Sequence, residues 1–140
     1  GGGGASATPG GPNVTGGAGG SGIVIVSVSQ AETTSSSMTL ISDTFTANAT
    51  PSTARIVIFA ELGDDINSEI SASVTRDNTT FNSVTLTDEG YSAGSSGIKI
   101  FSGSTPLTGS ASPQVRLRWK IVGSSLEGAN KIHGVSLQWK

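Results

Sequence analysis

The chain has 140 residues, a formal net charge of −2, no cysteine, and only 13% charged residues against the roughly 25% of an average soluble protein. The absence of cysteine excludes disulfides and thiolate metal sites. The charge balance gives no drive toward nucleic acid or an anionic membrane surface, and no stretch approaches the 18 apolar residues of a membrane-spanning helix. Ser and Thr together number 39. A hydroxyl-covered surface suits strands, where Thr is favoured, better than solvated helices, which carry Lys and Glu pairs.

The first 22 residues hold 11 of the 20 glycines and one large aliphatic side chain, Val14. They have too little apolar surface to offset the entropy of ordering, and Pro9 and Pro12 interrupt any regular element. Residues 1–22 therefore form a glycine-rich linker or stalk. Residues 23–140 form one β-domain. The first residue is Gly1 rather than Met, which suggests a processed or partial chain, and the last predicted strand runs to Lys140, as at a natural terminus.

Ile23–Val28 is β-branched and apolar on both faces, the mark of a strand buried on two sides. Thr39–Phe45 is the second expected strand, followed by a turn at Asn48–Thr53. Arg55–Ala60 is the strongest strand signal, and Ile56-Val57-Ile58-Phe59 is apolar on both faces. One face would serve the core and the other a neighbouring subunit, or the strand would lie at the centre of a sandwich. After a turn at Gly63-Asp64-Asp65, Ile70–Thr75 alternates apolar and hydroxylic residues as a half-buried strand does. Arg76–Thr79 is turn-like. Phe81–Thr87 is the next strand, stopped by Asp88-Glu89-Gly90 and a loop from Tyr91 to Gly97.

Ile98–Phe101 follows, then a loop from Gly103 to Pro113. In Val115–Ile121 the residues Val115, Leu117, Trp119 and Ile121 share one face, and Arg116, Arg118 and Lys120 share the other. Gly123–Asn130 is an expected loop. Lys131–Lys140 closes the chain with His133, Val135, Leu137 and Trp139 in phase, which places His133 on or near the inner face and both tryptophans in the core. About eight strands at ten-residue spacing predict an all-β fold, an antiparallel, jelly-roll-like β-sandwich.

Catalytic chemistry finds little footing. The single histidine keeps phase with aliphatic residues, and no Gly-x-Ser-x-Gly elbow is present. Asp64, Asp65, Asp77, Asp88 and Glu89 fall in predicted turns, where such side chains bond their own backbone; Glu69 is the exception. Gly63-Asp64-Asp65 with Asn67, or Asp88-Glu89, offers oxygens for calcium without the spacing of an EF-hand. No metal site, cofactor site or catalytic residue is assigned. Four residues are candidates for ligand binding. Tyr91 is a loop aromatic able to stack on a sugar, and the basic strip Arg116, Arg118 and Lys120 suits an acidic polysaccharide or phosphate.

The run Gly16–Val26, in which glycine pairs lead into Gly-Ile-Val-Ile, resembles the glycine-rich segment of bacteriophage tail and virion proteins. Ser73–Phe81 through Val84-Thr85-Leu86, and the ending Lys131–Lys140, are similar to C-terminal domains of tail-fibre-like proteins. The resemblance implies a non-enzymatic virion-surface domain, a homotrimer alongside other virion proteins, that supports host attachment and contacts a host surface glycan, with no nucleic-acid partner and no membrane insertion. A carbohydrate-binding module of a secreted bacterial protein is the alternative.

Overall fold

The computed structural model describes residues 35–110 and 115–140. The glycine-rich leader and the strand expected at Ile23–Val28 lie outside the described residues. Eight strands are present: β1 (Ser36–Ile41), β2 (Thr53–Glu61), β3 (Ile70–Thr75), β4 (Asn82–Val84), β5 (Thr87–Tyr91), β6 (Lys99–Pro106), β7 (Arg118–Leu126) and β8 (Lys131–Trp139). They form two antiparallel four-stranded sheets, ordered β1-β7-β3-β4 and β5-β6-β2-β8. The architecture is a β-sandwich, and no helix occurs among the described residues.

Side-chain alternation explains how the sheets meet. Ala54, Ile56, Ile58 and Ala60 of β2 point inward, each no more than 1% exposed. Opposite them stand Ile70, Ala72 and Val74 of β3 with Leu117 and Ile121 of the β7 segment, all buried in the same cluster. Each fully buried Ile or Leu contributes roughly 1.5–3 kcal/mol, so this row dominates the stability of the domain. β2 is an inner strand, between β6 and β8. Its second apolar row, Val57 and Phe59, lies half-buried on the outer face of the sheet.

Several boundaries differ from expectation. β1 starts earlier and ends at Ile41, because Ser42 takes over the pairing with Trp119: its amide donates to the Trp119 carbonyl (3.1 Å) and its hydroxyl accepts from the Trp119 amide (3.1 Å). Phe45 then makes a single bridge to Leu117. The strand expected over Phe81–Thr87 is two strands in different sheets. Thr85-Leu86 carries the chain from one to the other. Asn67, in a left-handed conformation (φ 69°), grips this crossing. Its side-chain nitrogen donates to the Leu86 carbonyl (2.8 Å), and its side-chain oxygen accepts from the Leu86 amide (2.8 Å).

Asp88-Glu89-Gly90 does not stop the chain but forms a bulge inside β5, with Gly90 at φ 93° and its amide donating to the Asp88 carboxylate (2.9 Å). β6 runs on through Gly103 to Pro106, and β7 through Gly123 to Leu126, where loops were expected. Pairing overrides propensity here. Gly123 is held between Met38 of β1 and Ile70 of β3, and Gly103 pairs with Ile56.

β8 also carries a bulge. Its register shifts between Phe59 and Ala60, which pair with Gly134 and Ile132, so His133 is the extra residue. The phase therefore changes: Ile132, Val135 and Leu137 pack against the core, while His133 is exposed and not an inner-face residue. Trp119 does pack against the core. Trp139 does not belong to it. It is 41% exposed at the end of the sandwich, its ring centroid 6.4 Å from that of Phe45.

A side chain at Gly103 would fall on the carbonyl oxygen of Thr85 and within 2.6 Å of a Val84 methyl. Gly103→Val is therefore expected to lower stability by about 1–3 kcal/mol, read as a shift in the denaturation midpoint. For β8, Ile132→Ala is expected to cost at least about 1 kcal/mol, whereas His133→Ala changes stability by less than about 0.5 kcal/mol. Equal losses at the two positions in thermal melts would contradict the bulge assignment.

Candidate functional site

An open cleft of about 480 Å³ lies at the end of β2 that carries Glu61. It is lined by Glu61, Asp64, Asp65, Asp88, Tyr91 and Lys99, together with small and apolar residues of the neighbouring loops. Its floor is a backbone-to-backbone contact between two loops. A Cβ on Gly128 would come within 2.6 Å of the Gly63 carbonyl carbon, and one on Gly63 within 2.9 Å of the Ala129 amide nitrogen. Only glycine lets these loops approach so closely. Asp64 and Asn130 rivet them together. The Asp64 carboxylate accepts from the amides of Glu127 and Gly128 (3.0 Å each) and from the Asn130 side chain (2.5 Å). The Asn130 side-chain oxygen accepts in turn from the Gly63 amide (3.0 Å).

Tyr91 stands at the rim, 61% exposed, at the end of β5 and in register with Lys99. The Lys99 ammonium lies 5.6 Å from the Tyr91 ring centroid and 2.7 Å from the Asp88 carboxylate. The ring is thus bordered by a cation that Asp88 anchors. The bond from Lys99 and the Gly90 amide hold the Asp88 carboxyl below its usual value, and the same pairing raises Lys99. Glu61, also in the lining, pairs with Lys131 (3.2 Å) and lies 3.4 Å from His133.

The basic strip is elsewhere. Arg116, Arg118 and Lys120 belong to the β7 segment of the other sheet, so the structure does not bring Tyr91 and the strip into one site. Arg118 donates to the Ser42 carbonyl (2.7 Å) and the Asn78 side-chain oxygen (3.0 Å). The Lys120 ammonium sits 4.0 Å from the Phe81 ring centroid. Arg116 is exposed, and its amide bonds the Arg76 carbonyl (2.9 Å). Two of the three cations thus already hold local structure together.

Most of the carboxylates considered for calcium or catalysis are engaged in the same way, Asp65 being the exception. Glu89 accepts from the Ser102 hydroxyl (2.7 Å), and Glu69 from the Asp65 amide (2.8 Å). Asn67 is committed to Leu86. Among the described residues no group of three or more His, Asp or Glu side chains is arranged to hold a metal ion. Sequence reasoning missed a second recess at the opposite end of β2, lined by Thr53, Arg55, Ser104, Gln138, Trp139 and Lys140. Its signal was present only as the outward position of Arg55 beside inward Ala54 and Ile56.

Asp77 illustrates turn chemistry most fully. Burial works against its ionisation but is outweighed by hydrogen bonds from the amides of Thr80 and Thr79 and the hydroxyls of Thr75 and Thr80, which hold the carboxyl well below its usual 3.8. Asp64 is lowered too, first by the Asn130 side chain and then by the Glu127 amide. No family model, curated protein or solved structure matches the chain.

A depressed folded-state value means that each of these carboxylates stabilises the fold above its unfolded value and ceases to do so as pH falls through the folded one. The melting temperature is therefore expected to be flat from neutrality to about pH 5 and to drop progressively once pH passes below the usual carboxyl value of 3.8. Asp77→Asn is expected to lower stability at pH 7 and to shrink that acid-side drop. A melting profile over pH 2–7 unchanged by the substitution would contradict the assignment.

Proposed function

We propose that the chain is a non-catalytic structural or adhesive domain of a bacteriophage virion, at the tip of a tail fibre or a capsid-surface fibre, that supports attachment to a host surface glycan. The observation that carries the glycan reading is the 61% exposed ring of Tyr91 at the rim of a cleft lined by carboxylates and an ammonium. An aromatic face suits the apolar side of a pyranose, and the anchored charges suit its hydroxyls. The non-catalytic reading is supported by the engagement of Asp64, Asp77, Asp88 and Glu89 in turn, bulge and strand contacts. The outer row of Val57 and Phe59 supports a homotrimer, since a neighbouring copy is one way to cover it. The virion assignment itself rests on the resemblance of the Gly16–Val26 run and the Lys131–Lys140 ending.

Solution mass by light scattering, together with a glycan array, tests the proposal. A trimer stable to dilution that binds host-surface glycans, and loses that binding on Tyr91→Ala without a change in melting temperature, is the expected result. A monomer that binds glycans through Tyr91 would replace the virion reading with a carbohydrate-binding module. Glycan binding indifferent to Tyr91→Ala would remove the cleft from consideration.

A further inference from the structure

The recess at the Thr53 end of β2 differs in chemistry from the Tyr91 cleft. It has a volume of about 470 Å³. Two of its six lining residues carry cationic side chains, Arg55 and Lys140, and none carries an acidic side chain. The ion pairs found among the described residues involve Lys99, Lys131 and His133, so neither cation has a carboxylate partner there. At the other end of the same strand the Tyr91 cleft is lined by four carboxylates, Glu61, Asp64, Asp65 and Asp88. The two ends of β2 thus present opposite charge.

Arg55 is held in place from behind. One of its terminal nitrogens donates to the hydroxyl of Ser102 (3.1 Å), which is 5% exposed and donates its own proton to Glu89 (2.7 Å). A guanidinium has five N–H donors in a planar fork, so most of its donors remain free after this contact. Ser104, Arg55 and Gln138 are direct register partners across β6, β2 and β8. Neighbouring strands lie about 4.8 Å apart, so a hydroxyl, a guanidinium and an amide stand in one row about 10 Å wide, the scale of one or two sugar rings. Thr53 and Lys140 add a second hydroxyl and an ammonium.

We propose that this groove binds a carboxylate-bearing sugar residue of the uronate class. The planar carboxylate matches the Arg55 fork, Lys140 supplies a second positive charge, and Gln138, Ser104 and Thr53 meet ring hydroxyls. A neutral sugar leaves both cations without a counter-charge. A simple inorganic anion can accept from the amide or a hydroxyl but is too small to span a row about 10 Å wide. The inference does not depend on what the Tyr91 cleft binds, and the carboxylates there disfavour the same ligand.

Titration of the full chain with sodium glucuronate, methyl glucoside and sodium sulfate, followed by backbone amide chemical shifts, tests the proposal. Glucuronate is expected to shift the amides of Thr53, Arg55, Ser104, Gln138 and Lys140, with affinity falling as salt is added. Arg55→Gln is expected to weaken binding about tenfold and Arg55→Lys to restore only part of it, because a point charge lacks the fork. Tyr91→Ala is expected to leave binding unchanged, which separates this groove from the cleft. If the Arg55 variants lose their dispersed spectrum, Lys140→Gln provides the same comparison, with a loss of about threefold expected. Sulfate or methyl glucoside binding as tightly as glucuronate, or glucuronate shifts falling elsewhere, would overturn the proposal.

Discussion

The chain must pass from one sheet to the other between β4 and β5 with only Thr85 and Leu86 to do it, and it does so by lying directly on β6. That contact is possible because Gly103 presents no side chain where the Thr85 carbonyl comes down. Leu86 can then bury itself, 3% exposed, while Asn67 satisfies its amide and carbonyl. A buried peptide group left unpaired is costly, so the grip of Asn67 is what makes an irregular crossing tolerable inside a packed edge. The crossing in turn fixes where β5 begins, and so where Asp88, Gly90 and Tyr91 fall at the cleft.

The same economy of small residues builds the cleft itself. Gly63 and Gly128 let the β2–β3 and β7–β8 loops touch through their backbones, and Asp64 and Asn130 lock them. Charges that look available in a list of residues are thereby committed: Asp64 to loop closure, Asp77 to its turn, Asp88 to Gly90 and Lys99. Others are not so committed: the Tyr91 ring is exposed at one end of β2, and at the other Arg55 and Lys140 line a recess without an ion pair among the described residues. Two recesses thus lie at opposite ends of one strand.

Much of the fold was legible from local pattern. Ile70–Thr75 agrees with β3 residue for residue, and Lys131–Lys140 and Arg55–Ala60 lie within a residue or two of β8 and β2. Ile70–Thr75 alternates cleanly because it faces the core on one side, and the other two are marked by their density of apolar residues. Tyr91 was identified as a candidate exposed aromatic because it falls in an expected Gly/Ser loop. Gly103, Gly123 and Asp88–Gly90 were assigned to loops or turns because glycine and Asp disfavour strands in isolation. Their strands are held by neighbours from far along the chain, which no local window contains.

The sequence by itself determined the class: strands rather than helices, a two-sheet sandwich with Arg55–Ala60 as its strongest strand, and turns built on Asp and Gly. Those properties follow from short-range sterics and from the two-residue period of burial. Only the tertiary structure decided three further points. The bulge at His133 turned that side chain outward and Ile132 inward, because one extra residue reverses the phase of everything before it. Trp139, although in register with buried Ala54, came to rest 41% exposed beside Phe45 rather than in the core. Arg55, Ser104 and Gln138, more than 30 residues apart in sequence, became one row because register between strands is set by the packing of the whole sandwich.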